Sequence, residues 1–388
     1  MKNMKIKINF LILLTLFFLI ESQIISSQLK IHERSVIDIS KQYPEKKNIL
    51  SDIADIEYIP LETSDDILLS DEAVLSYVSD KYILAYEPRR GDIFVFDRTG
   101  NIYSHFNHKG QSGKEYSWIR SGVIFDEKNE EIFVCSQSIQ VYSLSGEYKR
   151  TLKINTMQNK LDVYDFDNDA LLIYDDVIID PGLEENTKKN PYRFASKKDG
   201  SMISVLDIHF SKRYSSEMAK KENNTWRKII LYYPRNMHYG QDFVIADISS
   251  DTLYLLTQNK TLTPILIREP SVHESEPRKV WTTFLTTDKF ILIGLITLDF
   301  KAGGGKIPIL MYEFDTGEIF KMSILDYDMR TWSPGSSPVI GKNMAAELIQ
   351  ASSIIEAYNK KQLNENLKNT VMSLDEDDNP IVRIIKFK

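Results

Sequence analysis

The residues best equipped for chemistry in this sequence are aromatics beside arginines, in stretches rich in turn residues. These stretches are Tyr86 to Arg90, Tyr116-Ser117-Trp118-Ile119-Arg120, Lys212-Arg213-Tyr214 and Tyr232-Tyr233-Pro234-Arg235-Asn236-Met237-His238. A planar ring offers a stacking face, and a guanidinium offers a fork of donors that fits a carboxylate. Arg89, Trp118, Arg120, Arg213, Tyr233, Arg235 and His238 are the candidate ligand-binding residues. Together they fit a surface for an anionic or ring-bearing ligand, such as an acidic glycan or a peptide. Taken singly, each also reads as rim packing or surface charge, since single exposed aromatics are ordinary.

Other motifs point away from a defined reaction. Asp165-Phe166-Asp167-Asn168-Asp169 begins like a calcium loop, with Asp176 at the twelfth position. Its sixth position is Ala170, where the tight turn wants glycine, so an acidic hairpin turn is expected instead. The six histidines include no His-Glu-x-x-His pair, and Gly303-Gly304-Gly305-Lys306 lacks the Ser/Thr and the spacing of a phosphate loop. No Gly-x-Ser-x-Gly nucleophile elbow occurs. The single cysteine, Cys135, lies in the strand-like run Glu131 to Cys135 and reads as a buried, inert thiol. No catalytic residue, cofactor or metal is assigned.

The elements that must position these residues are short β-runs separated by turns. Ile93-Phe94-Val95-Phe96 ends at Asp97-Arg98-Thr99-Gly100, and Val141-Tyr142-Ser143-Leu144 ends at Ser145-Gly146. Glycine supplies positive φ and aspartate bonds its own backbone, so such junctions read as hairpins. One mark per turn gives Gly100, Gly146, Gly200, Lys260, Gly317 and Asn379, at intervals of 46 to 62 residues. That period suits one four-stranded blade per repeat, and six marks predict an all-β, six-bladed β-propeller. The runs Ile53 to Leu61 and Ile381 to Phe387 would pair to close the ring and remove an open edge. Helical spacing of apolar residues between Asn343 and Leu374 predicts a small helical insertion in the last blade, about 343–374, covering the ring.

The stretch Gly110-Gln111-Ser112-Gly113-Lys114-Glu115-Tyr116, followed by Gly122 to Asp126 and Val141 to Glu147, resembles an NHL-type propeller repeat. It departs from that repeat at Lys114, where a second glycine is common, and at Ile119 to Ser121, where a proline is common. The wider chain resembles the exported six-bladed propellers (NHL/TolB-like) abundant in Bacteroidota. The matching marks are Tyr58-Ile59-Pro60-Leu61-Glu62-Thr63, Val95 to Gly100, Ser250-Asp251-Thr252-Leu253-Tyr254, Asp378-Asn379-Pro380 and Lys386-Phe387-Lys388. The resemblance implies fold more than activity. Lipid anchoring, common among relatives, is not implied, because no cysteine lies near the end of the N-terminal apolar run.

That run, Phe10 to Ile20, follows Lys2, Lys5 and Lys7 and precedes Glu21-Ser22-Gln23, the layout of a secretory signal peptide. It is short for a membrane span. The expected organisation is a signal peptide at 1–27, a lead segment at 28–48 and the propeller at 49–388, with the mature chain in the periplasm or outside the cell. No transmembrane segment is expected after cleavage. The net charge of −7 argues against nucleic acid as a partner. The expected function is a binding or scaffold module in the envelope, its partner an unknown glycan, peptide or envelope protein. The alternative is a lyase, lactonase or glycan-active enzyme using the propeller face.

Overall fold

The computed structural model describes residues 35–154, 161–175, 190–210, 212–214, 217–230, 236–299, 307–326, 330–332, 339–360 and 367–388. Three strands come first: β1 (Ser35–Asp38), β2 (Glu45–Ile49) and β3 (Ala54–Pro60), with a one-turn helix α1 (Leu50–Ile53) before β3. Blade one is β4 (Val74–Val78), β5 (Tyr82–Tyr86), β6 (Asp92–Asp97) and β7 (Ile102–Asn107). Blade two is β8 (Val123–Asp126), β9 (Glu131–Cys135), β10 (Ile139–Ser143) and β11 (Tyr148–Leu152). Blade three is β12 (Asp162–Asp165), β13 (Ala170–Tyr174), β14 (Tyr192–Ser196) and β15 (Met202–Val205). A separate hairpin, β16 (Glu217–Glu222) and β17 (Thr225–Ile230), follows it. Blade four is β18 (Asn236–Tyr239), β19 (Asp242–Ile245), β20 (Thr252–Leu256) and β21 (Leu262–Glu269). Blade five is β22 (Arg278–Thr286), β23 (Phe290–Leu298), β24 (Ile309–Glu313) and β25 (Ile319–Asp326), with the short β26 (Arg330–Thr331) on the end of β25. Blade six is β27 (Val339–Gly341), β28 (Met344–Ile349), β29 (Ile381–Phe387) and, from the other end of the chain, β3.

Blades one to five are antiparallel meanders running from the axis outward, blade six takes its outer strand from the other end of the chain, and the middle strands are buried on both faces. The sequence of β6 shows how. Ile93 and Val95 pack with Val123, Phe125 and Val134 of blade two, whereas Phe94 and Phe96 between them pack with Ile59, Val382 and Ile384 of blade six. The period of two in side-chain direction thus delivers one strand to two interfaces. Among the described residues, six large apolar clusters each join consecutive blades, and the cluster of blades six and one completes the circle. Cys135 belongs to the cluster of blades two and three, where burial pushes its thiol pKa up to about 12.

Closure joins the two β-runs expected to meet. β3 and β29 are antiparallel from Ile381 opposite Pro60 to Phe387 opposite Ala54. Strands β1 and β2, inside the stretch read as a lead segment, add in parallel to the outer edges of blades four and five, on β21 and β25. The helical insertion lies between β28 and β29 as α2 (Ala351–Asn359) and α3 (Lys368–Met372), so Met344–Ile349, at the start of the expected helical span, is strand. Ile354, Leu367 and Val371 of this insertion cover Ile349 and Ile381 at the ends of those two strands.

Candidate functional site

Alternating strand directions divide the molecule into two faces. Turns from inner to second strand, and from third to outer strand, fall on one face, the turn face. Loops from second to third strand and all connections between blades fall on the other, the loop face. The first residues of each inner strand therefore lie on the loop face, toward the axis of the ring.

Arg89, Trp118 and Arg120 come from two interlocked loop-face segments, residues 87–91 of blade one and the 108–122 connection into blade two. Buried Tyr116 fastens them: its hydroxyl donates to the Gly91 carbonyl (2.7 Å) and accepts from the His108 N–H (3.0 Å). The Ile119 N–H bonds the Pro88 carbonyl (3.0 Å), and the Arg120 and Ser121 N–H groups bond the Cys135 carbonyl (3.0 and 3.1 Å). Trp118 remains 42% exposed, and the Arg120 guanidinium lies over its ring at 4.4 Å. Arg120 has no carboxylate within ion-pair distance among the described residues, and its buried Nε has no hydrogen-bond partner. Arg89 points elsewhere, pairing with Glu72 at 3.2 Å.

The other candidates separate. Arg213, in the connection out of blade three, is buried; it bonds the Tyr174 hydroxyl (3.1 Å) and lies over Phe210, so it holds the loop down. His238 is half-buried on β18 and packs 4.3 Å from Phe243; burial lowers its pKa to about 4, leaving the ring neutral at pH 7. Tyr233 and Arg235 lie outside the described residues, as do Gly303 to Lys306 and Asp176.

A second loop-face group escaped the sequence reading. Arg278, the first residue of β22, lies over the Tyr214 ring at 3.5 Å, and Tyr214 is buried between blades four and five. The Tyr214 N–H bonds Ser249 Oγ (2.8 Å), and its hydroxyl lies 3.0 Å from His273 Nδ1. Arg278, like Arg120, has no carboxylate within ion-pair distance among the described residues. Tyr214 stood in an aromatic-basic triplet that drew attention to Arg213, but nothing local links it to an arginine so far along the chain.

The acidic stretch after Phe166 forms the β12–β13 hairpin on the turn face. Asp167 Oδ1 accepts from the N–H groups of Asp169 and Ala170 (2.8 and 2.7 Å). Asp165 instead meets Lys197, whose buried ammonium is 2.6 Å from both Asp165 and Asp126. Burial raises the Asp165 pKa to about 6, only partly offset by Lys197. Asp126 is buried too, but Lys197 and Asn129 more than offset that and hold it below the usual carboxylate value. Among the described residues no group of three or more His, Cys, Asp or Glu is placed to hold a metal ion. No helix among them is long and apolar enough to cross a membrane.

A family model described as a domain of unknown function, DUF4934, matches residues 34–386. No curated protein matches the chain. Among solved structures, one similar to it is a Bacteroides fragilis protein described as exported, 12% identical, with a TM-score of 0.61 over 91% of this chain and 100% of that one. A member of the DUF4221 family from Bacteroides vulgatus is 10% identical with a TM-score of 0.47, covering 87% of this chain and 97% of that one. Virginiamycin B lyase from Staphylococcus aureus is 9% identical with a TM-score of 0.38, covering 85% of this chain and 99% of that one. At these identities the first likeness is one of fold.

Proposed function

This chain belongs to the DUF4934 family of domains of unknown function, and from that premise we propose that it acts after export as a binding module whose ligand docks on the loop face. One observation carries the reading: an exposed tryptophan with a carboxylate-free arginine packed on it, Trp118 and Arg120, at the loop-face entry to blade two. A large ring left in water on the surface where separate blades converge has no packing role that requires its exposure, and rings of this kind anchor ligands. Export is supported by the positive start and apolar run within residues 1–27 and by the relative described as exported. The ligand we favour is a glycan or a peptide, met in the periplasm or outside the cell.

The test is a glycan and peptide array probed with the purified chain and with Trp118→Ala. Specific binding lost at least tenfold in the variant, with the melting temperature unchanged, is the expected result. An array with no specific signal, or signals equal in both proteins, would end this reading.

A further inference from the structure

The acids outnumber the bases in this chain, 55 to 48, so an arginine without a carboxylate is not explained by a shortage of acids. Most described arginines have found one. Arg98 pairs with Glu57, Arg150 with Glu131, Arg193 with Asp175, and Arg383 with Asp326 and Glu347. Arg120 and Arg278 are exceptions, and they share a setting. Each is half-buried, each lies on an aromatic ring, and each sits where the chain enters an inner strand from the loop face: Arg120 just before β8, Arg278 as the first residue of β22. Blades two and five are three apart in a ring of six, so the connections that carry the two arginines enter the loop face from opposite sides of the ring.

Resting on the loop-face reading above, we infer that this face takes an acidic saccharide, with carboxylates at two separated sugar units, one held by Arg120 and the other by Arg278. Stacking on a ring holds a guanidinium in one plane and leaves its edge donors open, which suits the fork geometry of a carboxylate. A sugar whose carboxylate is fixed to its ring sets an apolar face and an anion at a constant separation, matching the Trp118–Arg120 pair. An acidic peptide would have to order flexible side chains to do the same. A phosphodiester polymer would meet the field of an acidic protein.

Titration calorimetry of the purified chain with oligogalacturonate and with hyaluronan fragments, each beside its methyl-esterified, neutral form, tests this. At least one acidic saccharide should bind, its ester at least tenfold more weakly. Arg120→Gln and Arg278→Gln should each lose about tenfold for the acid and little for the ester. Arg98→Gln, on the turn face, serves as the control and should match the parent. Circular dichroism melts confirm that each variant folds. Equal affinity for acid and ester, or full affinity in both arginine variants, overturns the acidic-saccharide inference while leaving a loop-face binding module standing. Binding of polyglutamate but of neither saccharide also overturns it. Failure of the whole array sinks the broader reading instead.

Discussion

At the scale of residues, position in the chain decided what could be read. Trp118 and Arg120 are two apart, so their partnership was visible in the sequence; Arg278 and Tyr214 meet only because the connections leaving blades three and four both run on the loop face. Arg213 resembled Arg120 in composition but is buried, a difference that depends on what folds over it. The two aspartates on Lys197 make a testable contrast. Asp165 has a folded-state pKa raised to about 6, so its contribution is fully present below the unfolded value near 3.8 and is lost as pH rises through 6. Its ionisation at neutral pH costs on the order of 1 kcal/mol, discounted for its partly exposed carboxylate. Asp126 has the opposite sign: its contribution is present above 3.8 and lost as pH falls below. Asp165→Asn should therefore leave stability at pH 7.5 unchanged or raise it by up to about 1 kcal/mol, with the gain gone at pH 4. Asp126→Asn should cost about 2–4 kcal/mol at pH 7.5, because a buried ammonium loses its better-held partner. Urea midpoints at the two pH values measure both; a large loss in Asp165→Asn at pH 7.5 would contradict the assignment.

At the scale of elements, the turn chemistry was the legible part. Five of the six turn marks, Gly100, Gly146, Gly200, Lys260 and Gly317, have positive φ between 63° and 91° and sit in the turn before a blade's outer strand. The sixth, Asn379, cannot, because the outer strand of blade six comes from the other end of the chain. It is instead buried, bonding Leu69 N–H, the Glu62 and Ile67 carbonyls and Thr63 Oγ, and so fixes the connection from β3 into blade one. Strand β2 was not legible: Glu-Lys-Lys-Asn-Ile has no apolar alternation, and it is a strand only because β25 offers an open edge. The turns also lock blade to blade. A Cβ on Gly146 would lie 2.6 Å from Phe106 Cγ on the outer strand of blade one, at a φ of +86°. Gly146→Ala should thus destabilise by about 2–4 kcal/mol, from left-handed strain and displacement of that ring. Gly113→Ala, with nothing within 4 Å of the new carbon, should change stability little. Thermal melts of the pair give the comparison, and equal melting temperatures would mean that the turns do not couple the blades.

At the scale of the whole molecule, stability rests on a closed ring without a disulfide, since the one cysteine is free and buried. Every blade is sandwiched, so no blade interface can open without exposing apolar surface on two blades. The weakest point by connectivity is blade six, where β29 and β3 are joined by backbone hydrogen bonds and not by a turn. β29 also sends Val382 and Ile384 to the cluster with blade one, and Ile385 and Phe387 to the cluster with blade five. Burying one large apolar side chain is worth about 1.5–3 kcal/mol. Removing these four would therefore take on the order of 6–12 kcal/mol from a domain whose net stability is usually about 5–15 kcal/mol. The same deletion strips β3 of its one partner among the described strands and breaks the ion pairs of Arg383 with Asp326 and Glu347. A chain ending at residue 380 should lose cooperative unfolding, or melt far below the full chain, with the loss spread over all blades. Of the described strands, a chain beginning at residue 44 lacks β1, an added parallel strand on the outside of blade four, and it should keep a single transition at a modestly lower temperature. Hydrogen exchange on both truncations separates local fraying from ring opening. Unchanged protection in blades one to five after the C-terminal deletion would show that the blades stand without closure.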